Sequence, residues 1–405
     1  MALNERLDET KVLRDPVHGY IHVDLKVVWD VINSSWFQRL RRIRQLGGAN
    51  MVYHCAEHTR FSHSLGVYEI VRRMISEVPD IDQALNEYEK ITVMLAGLLH
   101  DAGHGPYSHA FEEISATSHE QYTCRIIEEN TEITKILENA SKGLSKDVAD
   151  VIRHKSANPL LSQLISSQLD ADRMDYLLRD AYFTGTTYGE FDLERILRTL
   201  RVKDNRLVVK ESGVYAVENY IMARYHMYWQ VYYHPTARSY ETLLHMLFKR
   251  MRDLGDTEDP SLLKQFVPLV TKGKIPLEDY FALDESACSY GFHMLVHHQD
   301  PILRDLAERV RDRKLFAYAD STPQFNRQMR AKLKKAGYDL NYYWGRDSVM
   351  QKPYVPYRGS QESAVWVWMK DGSVRELSNA SNIVYSLIHG PVHDDNKVYF
   401  PADVI

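Results

Sequence analysis

Two histidines and two aspartates, far apart in the sequence, have the residue types that bind a divalent metal ion. His63 lies in the stretch HTRFSHS, and the doublet His100-Asp101 comes directly before AGHGPYSH. The fourth residue, Asp172, follows in DADRMDY. Two imidazoles and two carboxylates can hold a divalent cation and leave positions open for water or a substrate. The four residues therefore predict a metal-dependent hydrolase.

Three more histidines close to the doublet are candidates for moving a proton. His104, His109 and His119 all fall within twenty residues of it, and Glu112 stands one helical turn after His109, where it would orient that imidazole. Histidine titrates nearest to neutral pH, so it can protonate a leaving oxygen. Each of them alone could be structural, but their position beside the candidate metal ligands favours catalysis.

Two stripes of tyrosine and charged residues predict the walls of a substrate site. One stripe begins at a candidate metal ligand, and both have helical i, i+4, i+8 spacing. Arginine offers forked donors for phosphate, and tyrosine can stack on a sugar or base while forming a hydrogen bond. Tyrosines buried between helices, with an arginine in a salt bridge, are the alternative for the second stripe. The stripes are Asp172, Tyr176 and Asp180, and Arg224, Tyr228 and Tyr232.

Hydrophobic periodicity predicts that helices position these residues. The stretch from Ile91 to His100 is almost wholly apolar, which indicates a buried helix that Gly103, Gly105 and Pro106 bring to an end. A long helix is expected from Val217 to Leu254. The other predicted helices cover FQRLRRIRQL (37–46) and residues 65–75, 118–130, 133–142, 146–153, 161–180, 192–201 and 289–313.

Short β-hairpins are expected at three places. Residues 11–25 alternate around Pro16 and Gly19, residues 206–217 suggest a turn near Ser212-Gly213, and the tail turns at Asp371-Gly372. The predicted fold is mainly α, with small β-hairpins and a mixed α/β C-terminal region. We expect an N-terminal arm or hairpin (1–25), a helical body (26–320) and a C-terminal region (321–405) that makes oligomer contacts.

Composition narrows the class of protein. The 405 residues are 44% hydrophobic, and no apolar run approaches the ~18 residues of a membrane helix. The N-terminus lacks an apolar signal core and the three cysteines are scattered, so a cytoplasmic location is expected. A net charge of −5 argues against nucleic-acid binding. An arginine cluster at 39–44 is expected to be a solvated face or to form ion pairs between subunits.

The motifs together resemble the HD-domain deoxynucleoside triphosphate (dNTP) triphosphohydrolases, a family with an HD-domain helical bundle. The chain looks like the bacterial relatives of the vertebrate dNTPase that carries an added sterile-alpha-motif domain. The resemblance covers residues 11 to about 245 and weakens towards 320. It rests on KVLRDPVHGYI, FQRLRRIRQLGG, HTRFSHSLGV, LLHDAGHGPYSHAFE, HEQ and DADRMDYLLRD.

The resemblance implies hydrolysis of a dNTP to deoxynucleoside and intact triphosphate. It assigns the metal ligands as His63, His100, Asp101 and Asp172. It makes His109 the general acid, supported by Glu112 where the vertebrate enzyme has Asp, with His119 as a further active-site histidine. The metal is Mn, Mg, Fe, Zn or Ni, because the same ligand types suit all five to differing degrees.

The substrate contacts implied by the resemblance fall into two groups. Gln45, Leu46 and Tyr232 crowd the sugar 2′ position, and Asp180 contacts the 3′-hydroxyl. The phosphate contacts include two substitutions, Arg173 in place of a lysine and Tyr228 in place of a histidine near the α-phosphate. The phosphate contacts are Arg60, Arg173, Tyr176, Arg224 and Tyr228.

Regulation is also implied: such enzymes are often homotetramers activated by nucleotides between subunits. Lys11, Val12, Gln38 and Arg41 match a dGTP or GTP activator site, in which Asn33 replaces the base-reading Asp. A second activating dNTP would contact Arg195, Lys210 and Arg313, with Ser212 in place of a lysine. An amide presents a donor as well as an acceptor, so a changed base preference is expected.

Three other functions compete with this one. A 5′-nucleotidase or cyclic-nucleotide phosphodiesterase on the same scaffold differs in its products, since only a triphosphohydrolase releases triphosphate. A non-catalytic nucleotide sensor would be free to lose ligands that are all present here. A nuclease is disfavoured by the acidic balance of charges.

Overall fold

Helices form most of the chain, and the predicted mainly α fold is confirmed. The computed structural model describes residues 2–108, 111–113, 118–254, 275–350, 354–355, 364–391 and 394–405. The α-helices are α1 (Lys26–Asn33), α2 (Ser35–Gln38), α3 (Arg60–Glu77), α4 (Pro79–Ala84), α5 (Glu87–Leu99), α6 (His119–Glu128), α7 (Glu132–Ala140), α8 (Leu144–Ile152), α9 (Pro159–Ile165), α10 (Ala171–Thr184), α11 (Leu193–Thr199), α12 (Val214–Met227), α13 (Pro235–Leu254), α14 (Leu277–Ala282), α15 (Glu285–Leu295), α16 (Pro301–Arg311), α17 (Pro323–Lys335), α18 (Leu377–Ala380) and α19 (Asn382–His389).

The described strands form small sheets around the helices. β1 and β2 make the antiparallel hairpin predicted at the N-terminus, and β7 and β8 make the one predicted in the tail, where Gly372 has φ +85°. The sheets have the orders β1-β2, β3-β4-β7-β8 and β5-β9-β6. The strands are β1 (Arg6–Asp15), β2 (Gly19–Leu25), β3 (Leu200–Lys203), β4 (Arg206–Lys210), β5 (Phe316–Asp320), β6 (Gly345–Met350), β7 (Trp366–Trp368), β8 (Val374–Glu376) and β9 (Asp394–Pro401).

At the centre of the body, α3 packs against both α5 and α10. Every residue of α5 from Ile91 to Leu99 is buried, as its apolar sequence predicts. A capping box of Asn86 and Glu89 fixes where α5 begins. The side chain of Asp170 accepts a hydrogen bond from the backbone of Arg173 and starts α10. These caps set which residues face the point where the three helices meet.

The close approach of α3 and α10 requires a glycine. A Cβ at Gly66 would lie 1.8 Å from Oδ1 of Asp175 and 2.5 Å from Nη2 of Arg179. Both of those side chains are fully buried on α10. No side chain fits between the helices at this point, so Gly66 sets their separation.

The turn predicted near Ser212-Gly213 for a hairpin over residues 206–217 is wrong. β4 pairs with the preceding strand β3, and the chain turns at Asp204 and Asn205, which have φ of +51° and +57°. Ser212 and Gly213 instead belong to a 3-10 turn that leads into α12. The predicted helix over 192–201 therefore ends at Thr199, because the following residues join the sheet.

Several long helices expected from periodicity are broken. The helix predicted from Val217 to Leu254 contains a π-helical segment, Tyr228–Tyr232, and restarts at Pro235. The helix over 289–313 restarts at Pro301, and the helix over 161–180 restarts after its capping residue, Asp170. Proline disfavours helical geometry in the residue before it and accepts a first-turn position, so it begins a new helix.

The arginine cluster does not form a solvated helical face. The helix over FQRLRRIRQL ends at Gln38 and continues as a 3-10 segment, Arg39–Arg42. Arg39 is fully buried and donates to the carbonyls of His104 and Leu283. Arg42 and Arg44 form ion pairs within the chain. The cluster thus ties the 3-10 segment to residues 283–285.

One large hydrophobic core runs from Ile21 to Tyr399, and a smaller one lies under α17 and β9. The C-terminal region therefore packs onto the helical body. None of the described helices is both long enough and apolar enough to cross a membrane.

Gly66→Ala is expected to lower the free energy of unfolding by about 3 kcal/mol, because the added methyl would displace a buried ion pair. Gly97→Ala in α5 is the matched control: its Cβ would meet the Val71 side chain at 3.1 Å, and the gain in helix propensity offsets the crowding to within about 1 kcal/mol. Chemical denaturation measures both. Equal stability of the two variants would contradict this account of helix packing.

Candidate metal centre and adjoining cavity

The central helices bring the four predicted metal ligands together. His63 projects from α3, His100 and Asp101 follow the end of α5, and Asp172 lies in the first turn of α10. Nε2 of His63 is 3.1 Å from Oδ1 of Asp172 and 3.6 Å from Oδ2 of Asp101. Nε2 of His100 is 3.3 Å from Oδ1 of Asp101 and 3.6 Å from Oδ1 of Asp172.

Hydrogen bonds on the far side of each ring fix which nitrogen faces the carboxylates. Nδ1 of His63 lies 2.7 Å from Oδ2 of Asp175, and Nδ1 of His100 lies 2.8 Å from the carbonyl oxygen of Gly97. Carboxylate and carbonyl oxygens only accept, so each Nδ1 carries the proton and donates it. Metal-binding histidines are commonly oriented in this way by a carboxylate or carbonyl.

This arrangement fits a divalent cation. When the rings are neutral, the lone pair on each Nε2 points at carboxylate oxygens, which are also hydrogen-bond acceptors. Such groups repel each other unless a proton or a cation lies between them. Nε2 of His100 is buried without a hydrogen-bond partner among the described residues. Burial by itself lowers the pKa of His63, but hydrogen bonds to Asp172 and Asp175 raise it to about 10. His63, His100 and Asp101 are close enough to share one ion.

Asp101 connects the metal centre to further polar residues. It forms an ion pair with Arg60, and its Oδ1 lies 3.4 Å from Nε2 of His104. The rings of His104 and His119 stack with centroids 3.9 Å apart. Burial and the neighbouring guanidinium of Arg60 lower the pKa of His104 well below its ordinary value, which favours the neutral imidazole. Asp101, His104 and His119 form a second group with metal-ligand spacing.

A glycine lets His119 reach this position. A Cβ at Gly103 would lie 2.1 Å from the backbone nitrogen of Thr123 and 2.2 Å from the carbonyl of His119, so only glycine allows α6 to begin here. Glu112 accepts hydrogen bonds from His119 at Nδ1 (2.5 Å) and at the backbone nitrogen (2.7 Å). His109, the residue that Glu112 is predicted to orient, lies outside the described residues.

A buried charge network joins the metal centre to the N-terminal hairpin. Asp175 accepts from His63, from Nε2 of His18 at 2.6 Å and from Arg179 at 2.8 Å. Arg179 also donates to Asp15 at 2.8 Å. The motifs KVLRDPVHGYI and DADRMDYLLRD contain these residues, but no local pattern predicted a role for His18, Asp175 or Arg179.

A cavity of about 590 Å³ opens beside the metal centre. Its lining includes two of the predicted metal ligands, Asp101 and Asp172, and two of the candidate proton-moving histidines, His104 and His119. Most of the predicted substrate contacts also line it. These are Gln45, Leu46, Arg60, Arg173, Tyr176, Asp180, Tyr228 and Tyr232.

Asp180 is held rigidly in the wall of this cavity. Its two oxygens accept hydrogen bonds from Nε2 of His58 and from the hydroxyl of Tyr232, both at 2.7 Å. The Tyr232 ring also packs edge-on against Tyr176 and Tyr228, with centroids 6.1 and 5.0 Å apart. His58 was missed in the sequence, where nothing distinguishes it from an ordinary buried histidine.

Two of the predicted phosphate-binding arginines are mostly buried. Arg173 forms an ion pair with Asp170 and lines the cavity. Arg224 is not among the lining residues, but its guanidinium lies 5.8 Å from the ring centroid of Tyr228, which is. Nε and Nη1 of Arg224 have no hydrogen-bond partner among the described residues. Unpaired buried donors of this kind favour a nearby anion.

Some residues of the cavity wall were not predicted. Tyr107 and Ser108 follow the metal doublet, while Arg238 comes from α13 and Asp347 and Val349 come from β6. The C-terminal region, for which only oligomer contacts were expected, therefore contributes to the cavity. Its contribution depends on contacts between residues more than a hundred positions apart, and no local pattern indicates them.

The residues predicted to bind a first activating nucleotide lie on the surface in two places. Val12 on β1 is 48% exposed, and Lys11 precedes it. Gln38 accepts from Nε of Arg41 at 2.8 Å, and Arg41 stacks over the ring of Phe61. Asn33, at the end of α1, donates to the carbonyl of Trp29.

The second predicted activator group is also at the surface. Arg195 donates to the carbonyl of Ser212 at 2.9 Å, two residues after Lys210 at the end of β4. Arg313 donates to the carbonyl of Met51 at 2.7 Å. Both arginines are exposed on this chain, and their role in nucleotide binding stays a prediction.

Comparisons with known proteins agree with this architecture. The HD domain family matches residues 60–180, and the HD associated region matches residues 191–266. The uncharacterized protein YwfO of Bacillus subtilis is 45% identical, with 99% of this chain and 94% of that protein covered. Human deoxynucleoside triphosphate triphosphohydrolase SAMHD1 is 27% identical over 78% of this chain and 56% of its own length.

A solved structure shows the same fold. A phosphohydrolase from Bacteroides thetaiotaomicron superposes with a TM-score of 0.84 at 29% identity, covering 96% of this chain and 99% of that one. The helical body and its cluster of histidines and aspartates are those of an HD-domain protein. The chain belongs to the HD phosphohydrolase family, in its dNTPase-like group.

Asp175→Asn is expected to weaken divalent-metal binding about 10- to 100-fold, because the amide no longer holds His63 as a carboxylate does. Equilibrium dialysis with Mn²⁺ measures the affinity. Asp15→Asn is the matched control, since Asp15 also pairs with Arg179 but does not touch His63. An equal loss of affinity in both variants would show that general destabilisation, and not the orientation of His63, is responsible.

Proposed function

We propose that this protein is a metal-dependent dNTP triphosphohydrolase that releases deoxynucleoside and inorganic triphosphate. The observation that supports this most is the meeting of the His/Asp centre with a cavity lined by arginines and tyrosines. A divalent cation held by His63, His100, Asp101 and Asp172 would supply Lewis-acid activation of a phosphoryl group and of water.

The arginines provide the positive charge that a triphosphate needs. Arg60 and Arg173 line the cavity, and Arg224 lies behind the tyrosines with unpaired donors. Guanidinium groups bind phosphate oxygens through paired donors and neutralise charge that develops during transfer. Burial strengthens these electrostatic interactions, because water screens the charges less.

We assign the proton transfer to histidines beside the metal centre. His109 is proposed as the general acid that protonates the departing 5′ oxygen, as the resemblance implies. Glu112 supports it and also holds His119 by two hydrogen bonds. Burial and the neighbouring Arg60 lower the pKa of His104, which favours its neutral form, so it would accept a hydrogen bond rather than take up a proton.

The sugar is proposed to lie between Gln45, Leu46, Tyr232 and Asp180. The hydrogen bonds from His58 and Tyr232 fix the carboxylate of Asp180, which leaves lone pairs free to accept from a 3′-hydroxyl. Gln45 and Leu46 line the same cavity, where they would crowd a 2′-hydroxyl. Selection of deoxyribose follows from this crowding.

We further propose activation by nucleotides between the subunits of a homotetramer. The surface positions of Arg41, Arg195 and Arg313 suit anionic ligands. With Asn33 at the expected base-reading position, we expect the activator, dGTP, GTP or another dNTP, to be bound with an altered preference or affinity.

Product analysis tests the proposed reaction. The metal-loaded protein is incubated with each dNTP, singly and mixed, and the products are separated by ion-exchange chromatography. We expect deoxynucleoside and triphosphate in equal amounts, with loss of activity after chelation and recovery after Mn²⁺ is returned.

Release of pyrophosphate or of a single phosphate would contradict this function and favour another phosphohydrolase. His109→Ala is expected to keep its metal content and lose turnover. Full activity of that variant would overturn the assignment of the general acid.

Activation is tested by the rate on one dNTP with and without added dGTP, GTP or a second dNTP. We expect an increased rate and a shift to a larger assembly in light scattering. Arg195→Ala should need more activator, because it removes one predicted phosphate contact. A rate that no nucleotide changes would contradict the proposed regulation.

A further inference from the structure

One buried carboxylate, that of Glu285, joins two loops of the cavity wall. Glu285 is the first residue of α15 and is only 4% exposed. Its Oε1 accepts hydrogen bonds from the backbone nitrogen of Arg44 at 3.0 Å and from that of Tyr107 at 3.4 Å. Its Oε2 accepts from Nη1 of Arg44 at 2.7 Å. Glu285 is not one of the described residues that line the cavity, so it acts on a ligand only through these loops.

The two loops carry residues on which the proposed reaction depends. Gln45 and Leu46 come directly after Arg44 and line the cavity. Tyr107 lines it as well and stands two positions before His109, the proposed general acid. Glu285 therefore holds the backbone immediately before the residues that crowd the sugar and immediately before the turn that leads to the acid.

The second loop has a strained backbone and lies close to the first. Tyr107 and Ser108 have φ of +57° and +40°, a left-handed conformation that costs free energy in residues other than glycine. Such a conformation persists only where the surroundings hold it. A Cβ at Gly47 would lie 3.3 Å from Cα and from the carbonyl oxygen of Tyr107, so the loops are in close contact there. The backbone nitrogen of Tyr107 is the point at which Glu285 holds the strained turn.

The charge of Arg44 does not by itself account for Glu285. Arg44 already forms an ion pair with Glu57, whose side chain is 49% exposed. A second carboxylate that served only Arg44 would not need to be buried, and burial of a carboxylate costs free energy unless hydrogen bonds compensate it. At Glu285 the compensation comes from two backbone N–H groups as well as from the guanidinium. The buried carboxylate thus fixes the backbone of both loops.

We propose that Glu285 is a positioning residue for the selection of deoxyribose, because it holds the loop of Gln45 and Leu46 against the turn at Tyr107. This inference rests on the proposed function, in which Gln45 and Leu46 crowd a 2′-hydroxyl. Crowding discriminates only while the crowding residues cannot move away, and a displacement of about 1 Å changes how a small group is placed. Loss of the Glu285 carboxylate frees the backbone nitrogens of both loops, so the first loop can retreat and admit a ribonucleotide.

Glu285→Ala and Glu57→Ala form a matched pair, because each removes one carboxylate from Arg44 and only the first removes the acceptor of two loop nitrogens. Glu57 also accepts from Asn50, which is not a lining residue. Equal concentrations of dATP and ATP are mixed in one reaction, so both meet the same state of activation. The early ratio of deoxyadenosine to adenosine released gives the ratio of kcat/KM. This ratio is expected to fall about tenfold in Glu285→Ala and to stay at the wild-type value in Glu57→Ala.

Glu285→Gln is the conservative variant, because its amide oxygen still accepts from both backbone nitrogens while the ion pair with Arg44 is lost. Its ratio is expected to stay within about threefold of the wild-type ratio. A general loss of stability would lower both activities and leave the ratio unchanged. An unchanged ratio in Glu285→Ala, an equal fall in Glu57→Ala, or an equal fall in Glu285→Gln would overturn the inference.

Glu285→Asp replaces Glu285→Ala if the latter does not fold. It keeps the charge, but its shorter side chain cannot reach both loops, so the ratio is expected to fall, and a wild-type ratio would contradict the inference. A wild-type protein that releases no triphosphate would refute the proposed function instead. Dissociation constants of dATP and ATP, measured by calorimetry with wild type and the same variants, then test the selection of deoxyribose by the same ratios.

Discussion

The buried carboxylate of Asp175 is the interaction on which the rest of this site depends. It receives donors from α3, from its own helix α10 and from the N-terminal hairpin, through His63, Arg179 and His18. A buried carboxylate is tolerated only when it is paired in this way. Because Oδ2 holds Nδ1 of His63, the opposite nitrogen must face Asp101 and Asp172. The same hydrogen bonds to Asp175 therefore hold the helices together, balance the buried charge and orient a predicted metal ligand.

Charged residues are also distributed unevenly along the cavity wall. A metal-loaded centre with its arginines would attract a polyanion, whereas Arg238 in another part of the wall is balanced by Asp347 and Asp395, with Lys397 3.0 Å from Asp395. An elongated ligand with an anionic end and a neutral polar end has a single favourable orientation in such a field. Rigid groups, such as Asp180 between His58 and Tyr232, then position the middle of that ligand.

Local patterns in the sequence predicted the parts of the site that helices carry. The doublet His100-Asp101 follows a helix whose burial is evident from its apolar sequence, and the spacing of Asp172, Tyr176 and Asp180 put them on one face of α10. New helices begin at Pro235 and Pro301, but the hydrophobic periodicity continues across both prolines and predicted single long helices.

Other features depend on long-range contacts. The pairing of His18 with Asp175 joins positions 157 residues apart, and Asp347 reaches Arg238 across 109 residues. The 3-10 segment at Arg39–Arg42 departs from helical periodicity because Arg39 turns inward to cap the carbonyls of two other segments. No local pattern in the sequence indicates such pairs.

The proposed site holds one cation among His63, His100, Asp101 and Asp172. Anomalous X-ray diffraction from crystals grown with Mn²⁺ tests it most directly. We expect one peak within coordination distance of Nε2 of both histidines and of an oxygen of both aspartates. A peak held instead by Asp101, His104 and His119, or no peak beside His63, would contradict it.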